Sequence, residues 1–298
     1  MIGAARTLHA LRRVFGRRSV VVVLGMHRSG TSMLTRFLAA RGLDAGTRLL
    51  TDSVSDNVHG YWEHAEIVDV QERLLDALDR TWYGPNGALP LPEGWLEDSR
   101  TVDARERLAS ILEREVAESR GLWGFKDPRT TRLLPLWRPI FDRLRLRPTY
   151  LLAVRSPAAV AASVIQRTPM AVDHAESLWA IHNVDAVDAT GGRFAAVIDY
   201  DRWFTDGERM AARLTRVLGL PDRELGSETL GRYVDPALRH NELRPEMARP
   251  AVAALYRALA SDAPGRKWRA ALRTAVEQAR LDLGRDALAR RDTRGTSA

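Results

Sequence analysis

Residues 19–32 read SVVVVLGMHRSGTS, and no other stretch of the 298-residue chain restricts the fold so tightly. Ser19 to Leu24 is a β-branched apolar run, the composition of a strand buried on both faces. Gly25 to Gly30 has the composition of a turn. From Thr31 to Arg41 the apolar residues Met33, Leu34, Phe37 and Leu38 share one side of a helix, which Gly42 ends. The spacing G-x4-G-x-[ST] over Gly25 to Ser32 is that of a phosphate-binding loop, whose backbone amides and following helix N-terminus cradle an anion. A nucleoside triphosphatase needs Lys where this chain has Thr31. Here the cation comes three positions earlier, as Arg28.

The rest of the chain repeats the alternation. Strands are expected at Leu122 to Phe125, Thr149 to Val154 and Phe194 to Ile198. Helices are expected at Glu63 to Leu78, Val102 to Glu118, from Pro157 to about Gln166, and from Val172 to Ala189. Thr131 to Leu144 reads as a helix broken by Pro135 and Pro139. Gly84 to Gly94 is a surface loop with the composition of a lid. The pattern predicts an α/β fold of three layers, phosphate-loop-like, with a central parallel sheet flanked by helices and a mostly helical part from about residue 203. Residues 19–290 read as one domain, 1–18 as a basic arm and 291–298 as a polar, frayed tail. Parallel sheets bind ligands at the carboxyl ends of their strands, which directs attention to the residues after Leu24, Phe125, Val154 and Ile198.

Composition narrows the chemistry. Without Cys there is no disulfide framework and no thiolate site, which fits a reducing compartment and suggests a cytoplasmic protein. No apolar run approaches the ~20 residues of a membrane helix, although the basic arm leaves peripheral membrane contact open. The seven His show no metal-ligand spacing. The net charge of +7 favours anionic partners. Of the 45 basic residues only Lys126 and Lys267 are Lys. Arg is spread over every segment among Asp and Glu, which argues against a nucleic-acid-binding module, the non-enzymatic alternative.

The stretch Arg28-Ser29-Gly30-Thr31-Ser32 resembles the 5'-phosphosulfate loop of the sulfotransferases that use 3'-phosphoadenosine 5'-phosphosulfate (PAPS). The resemblance to this bacterial phosphate-loop group covers roughly Val20 to Leu220. It implies that Arg28, Ser29, Gly30, Thr31 and Ser32 hold the phosphosulfate end, with Arg28 against the sulfuryl or bridging oxygens. It also calls for an Arg at a later strand end with a Ser eight residues on, and Arg155 with Ser163 has that spacing. Those two would hold the 3'-phosphate, Arg as a bidentate donor.

Lys126, in Lys126-Asp127-Pro128-Arg129, resembles the transition-state Lys of the tyrosylprotein branch. It would then offset charge on the bridging oxygen, while Asp127 would hold the loop or orient Arg28 or Arg129. The segment from Asn57 to Glu63 resembles N-x-x-G-[FY]-[FW]-E of a bacterial group, and Glu63 is the expected catalytic base, with His59, His64 and Asp52 as alternatives. Asp199 reads either as a Mg²⁺ ligand of a Walker-type strand or as part of the family's Y-[ED]-D segment; Arg239-His240-Asn241 has no clear counterpart. The expectation is in-line sulfuryl transfer from PAPS to a hydroxyl, or alternatively an amine, of a sugar, glycan or small molecule, with no metal required. A phosphate-loop kinase or other NTP-dependent transferase is the enzymatic alternative.

Overall fold

The computed structural model describes residues 18–50, 60–221, 249–261 and 265–295, with side chains through 286. The expected arm at 1–18, apart from Arg18, lies outside the described residues, as do Asp52, His59 and Arg239-His240-Asn241.

Among the described residues four parallel strands form one sheet in the order β2-β1-β3-β4. They are β1 (Arg18–Leu24), β2 (Trp123–Lys126), β3 (Leu146–Val154) and β4 (Ala196–Asp199). Nine α-helices accompany them among the described residues: α1 (Thr31–Ala40), α2 (Ala65–Ala77), α3 (Ser99–Glu118), α4 (Thr130–Arg143), α5 (Pro157–Arg167), α6 (Val172–Thr190), α7 (Trp203–Leu218), α8 (Pro250–Leu259) and α9 (Arg266–Gly295).

The β1 run explains the layering. Val20, Val22 and Leu24 join one apolar cluster, with α2, α3, α4 and α6. Val21 and Val23 join a second, with Leu34, Phe37 and Leu38 of α1 and Leu214 of α7. Side chains alternate across a strand, so a continuous apolar run feeds both faces, and a three-layer α/β sandwich results. Chain order reverses between β1 and β3, which pair in parallel from Arg18↔Leu146 to Leu24↔Leu152. That reversal opens the crevice at the carboxyl ends of β1 and β3 where such sheets take ligands.

Four expectations need correcting. The helix expected to break at Pro135 and Pro139 runs unbroken from Thr130 to Arg143. Both prolines lie on its outer side, while Leu133, Leu134, Leu136, Trp137, Ile140 and Phe141 are buried. Each such side chain contributes ~1.5–3 kcal/mol, which outweighs ~3 kcal/mol per interior Pro. The helix expected from Glu63 begins at Ala65, because His64 is its N-cap and accepts from the Ile67 amide at 3.4 Å. Ser156 precedes a helix with Pro at its first turn, as expected, but makes no side-chain cap bond. The last helix continues to Gly295, into the stretch read as a frayed tail.

The 84–94 loop is pinned. Arg132, 1% exposed, donates to the Gly87 and Leu89 carbonyls at 2.5 and 2.7 Å and pairs with Asp185 at 2.5 Å. Arg80 holds the Pro90 carbonyl at 2.7 Å, and His174 contacts that of Gly84 at 3.1 Å. No helix among the described residues is long and apolar enough to cross a membrane.

Candidate active site

The loop after β1 is shaped by two glycines. Gly25 has φ 139°, and a Cβ there would lie 2.5 Å from the Ala153 carbonyl oxygen, so this residue lets β1 and β3 close together. Gly30 caps α1 at φ 86°, and a Cβ would meet the Tyr200 ring at 2.4 Å. Between them Arg28 takes φ 67°, a conformation that costs a non-glycine residue of order 1–3 kcal/mol. The Gly25 amide donates to Thr131 Oγ1 at 2.9 Å, which ties the loop to the first turn of α4.

Not every amide of the loop is open to an anion. Ser29 N–H is used within the loop, donating to the Met26 carbonyl at 3.2 Å. The first helical bond runs from Leu34 N to Gly30 O at 3.0 Å, so the amides of Thr31, Ser32 and Met33 precede the helical ladder. Ser29 keeps a buried hydroxyl with no hydrogen-bond partner among the described residues. A buried orphan hydroxyl at a helix N-terminus, beside unladdered amides, suits an oxyanion.

Lys126 supplies a cation at the same helix start. From the carboxyl end of β2 its Nζ donates to Ser32 Oγ at 3.1 Å and to Glu63 Oε1 at 2.6 Å. Ser32 donates in turn to the Tyr61 carbonyl at 3.1 Å, which draws the segment before α2 over the loop. The second Glu63 oxygen lies 3.5 Å from Arg129 Nη1. Arg129 also pairs with Glu72 and, at 2.8 Å, with Asp127. Burial alone would lower the proton affinity of Arg129, but Asp127, Glu72 and Glu63 raise it above the ordinary value. Asp127 is wholly buried; it accepts from Gln71 at 2.7 Å and from the Arg129 amide at 3.0 Å. Of its expected roles it therefore fills those of holding the loop and orienting Arg129.

A second cationic group lies at the end of β3. Arg28 Nε donates to Ser163 Oγ at 2.8 Å, and Arg155 Nη1 approaches the Arg28 carbonyl at 3.4 Å. The Arg155 guanidinium sits 4.5 Å from the centroid of the Tyr200 ring, a cation–π distance, and Trp179 Nε1 binds its carbonyl at 3.1 Å. Arg28, expected at the sulfuryl end, thus leans toward Ser163.

His64, an alternative base, is turned away: Nδ1 caps α2 and Nε2 lies 3.1 Å from buried Glu115. Asp199 accepts from the Tyr256 hydroxyl and the Asp201 amide, both at 3.1 Å. Burial is the main reason its carboxyl titrates above the usual range. No group of three or more His, Asp or Glu among the described residues is arranged to hold a metal ion.

Sequence reasoning missed Thr131 and the ring of Tyr200. The position of Tyr200 at the end of β4 was the available signal. It also missed His27, whose ring stacks on Trp82 with centroids 4.6 Å apart and meets His182 edge-on at 6.3 Å.

The fold and this site define a phosphate-loop-like α/β protein with two cationic groups flanking the first turn of α1. No protein-family model and no curated protein matches the sequence. Among solved structures, the chain is similar to the sulfotransferase domain of the Synechococcus PCC 7002 olefin synthase, at 19% identity and a TM-score of 0.45, over 89% of this chain and 94% of that one. It is similar also to the sulfotransferase STF9 of Mycobacterium avium, at 17% and 0.42 over 79% and 73%, and to the sulfotransferase domain of the curacin pathway, at 15% and 0.39 over 88% and 98%.

Proposed function

We propose that this chain is a sulfotransferase that moves a sulfuryl group from PAPS to a hydroxyl. The observation that carries the reading is Lys126. It brings a cation from β2 to the first turn of α1, where Thr31 replaces the Lys of a triphosphatase. The separate group of Arg155, Ser163 and Arg28 supports it, because PAPS carries a second phosphate remote from its reactive end.

In this reading the amides of Thr31, Ser32 and Met33 and the Ser29 hydroxyl bind the 5'-phosphosulfate. Arg155 and Ser163 take the 3'-phosphate, and Arg28 reaches either from Ser163. Lys126 offsets the charge that builds on the leaving phosphate, and Glu63 holds Lys126 in place until then. A positioned donor of this kind contributes ~3–4 kcal/mol to lowering the barrier.

Thermal unfolding with two nucleotides tests it. Adenosine 3',5'-bisphosphate should raise the Tm without added metal, and labelled PAPS should be consumed. Stabilisation by ADP with Mg²⁺, and none by the bisphosphate, would assign the chain to NTP-dependent transfer.

A further inference from the structure

A sulfuryl acceptor must lose a proton, and the expected recipient, Glu63, has both carboxylate oxygens facing cations: Lys126 at 2.6 Å and Arg129 at 3.5 Å. His27 is differently placed. It belongs to the anion loop itself, two residues after Gly25 and next to Arg28. Both of its ring nitrogens are buried, and neither has a hydrogen-bond partner among the described residues. Native proteins rarely bury an imidazole without a partner for either nitrogen, since each orphan costs ~1–3 kcal/mol. Its neighbour His182 is satisfied, with Nδ1 2.7 Å from the Leu178 carbonyl.

We infer that His27 is a catalytic residue that accepts the proton of the acceptor hydroxyl as the sulfuryl group is transferred. This deepens the sulfotransferase reading and rests on it. The acceptor oxygen forms its bond to sulfur while the bond from sulfur to the 5'-phosphate oxygen breaks. The electron pair leaves with that phosphate, and the hydroxyl proton passes to the free nitrogen of His27, which later releases it to water.

The wall beside His27 suits an acceptor. Trp82 stacks on the imidazole, and Tyr83 meets Trp82 edge-on at 5.6 Å and is 47% exposed, so an aromatic path runs from the surface to the loop. Both nitrogens are buried in the free protein, so an acceptor reaches them only by displacing side chains around the loop.

The surrounding charges also make the base depend on the donor. Burial first, then Arg129, His182, Lys126 and Arg167, hold the imidazole well below its ordinary pKa. It is therefore neutral at pH 7, with a lone pair available. Lys126 is also a cation that the anionic donor would engage. A bound donor adds negative charge beside the loop, which raises the proton affinity of His27.

Two measurements test the inference. The first compares wild type with His27→Ala and the near-isosteric His27→Gln, following PAPS consumption at pH 7 with phenol as acceptor, whose hydroxyl stays protonated there as that of Tyr does, and with water alone. Loss of a general base predicts a fall in kcat of ~10²–10⁴ in both variants. Binding of adenosine 3',5'-bisphosphate should stay within threefold of wild type, and added imidazole should restore part of the His27→Ala rate.

The second follows the His27 resonances by NMR of histidine-labelled protein. The titration midpoint should rise by one pH unit or more when the bisphosphate saturates the site. A kcat within threefold of wild type, bisphosphate binding lost together with rate, or a midpoint that does not move would each overturn the role of His27 and leave the sulfotransferase reading intact. Wild type that neither binds the bisphosphate nor consumes PAPS would remove both.

Discussion

Lys126 Nζ lies 2.6 Å from Glu63 Oε1, with both side chains less than a tenth exposed, so the one Lys of the sheet is neutralised inside the protein. Such a pair adds little net stability, because desolvation cancels most of the attraction, but stranding either partner is costly. Lys126→Met should therefore destabilise by ~3–5 kcal/mol, as should Glu63→Gln. The double variant should recover most of that loss in urea unfolding. If Lys126 acts on the leaving phosphate, the double variant stays inactive although it is folded, with a rate ~10²–10³ below wild type. Recovery of activity with stability would make Lys126 a structural residue only.

The glycines of the loop permit a graded test. Gly25 and Gly191 both have positive φ, at 139° and 61°, but a Cβ on Gly191 meets nothing within 4 Å, whereas one on Gly25 overlaps the Ala153 carbonyl at 2.5 Å. Gly191→Ala should cost only the backbone term, ~1–2 kcal/mol. Gly25→Ala adds a clash between β1 and β3 and belongs with the large values, above ~3 kcal/mol. Equal costs for the two in chemical denaturation would show that the sheet yields at Ala153.

Much of this geometry was readable in the sequence, for a physical reason. Strand, loop and helix 18–40 are contiguous, and one buried run of valines with two glycines leaves the chain few other conformations. Arg155 and Ser163 were found because both lie on one local motif at the end of a strand. Contacts made across the fold left no such mark. Thr131 reaches Gly25 from 106 positions away, and Tyr200 covers Gly30 from the turn after β4. The two prolines of α4 misled because local propensity was weighed without the buried face opposite them. The start of α2 was placed two residues early, at Glu63, because an apolar period does not show that His64 would act as a cap.

Acid should destabilise the protein through its buried imidazoles. Burial, and then the charge of Arg132, push His182 down to about 3, and His27 is lowered in the same sense. A His with a depressed folded pKa binds fewer protons folded than unfolded. Its stabilising contribution is complete above the unfolded value, near 6.5, and is lost as pH falls from there toward the folded one. His182→Gln removes one such group, so its stability curve between pH 6 and 4 should be flatter than wild type by at most ~1.4 kcal/mol per pH unit. Parallel curves from denaturant melts across that range would contradict the assignment. Asp185 and Asp199, both raised chiefly by burial, work in the opposite direction and are common to both proteins.

Arg132 should control the 84–94 loop. Its guanidinium satisfies two loop carbonyls and Asp185 from a fully buried position. Arg132→Met keeps the volume and removes the donors, stranding both carbonyls and the carboxylate. The loop should then exchange its amides faster and be cut first in limited proteolysis, ahead of the sheet. Unchanged exchange over 84–94 would mean that Arg80 and His174 suffice to hold it.

Arg155 offers the sharpest test of the donor, because its expected partner can be removed from the ligand as well as from the protein. Adenosine 3',5'-bisphosphate and adenosine 5'-monophosphate differ only in the 3'-phosphate. If Arg155 holds that phosphate, Arg155→Ala should weaken the bisphosphate by ~10–100-fold, the worth of a charged hydrogen bond, and leave the monophosphate unchanged. Arg155→Lys should not rescue it, since Lys lacks the planar fork that both grips phosphate and stacks on Tyr200. A merely structural role gives a different pattern. Arg155 also touches the Arg28 carbonyl and packs on Tyr200, which covers Gly30, so its loss would then loosen the whole loop and weaken both nucleotides alike. Calorimetric titration of two ligands against two proteins closes the cycle. A coupling energy near zero between Arg155 and the 3'-phosphate would remove it from the donor site.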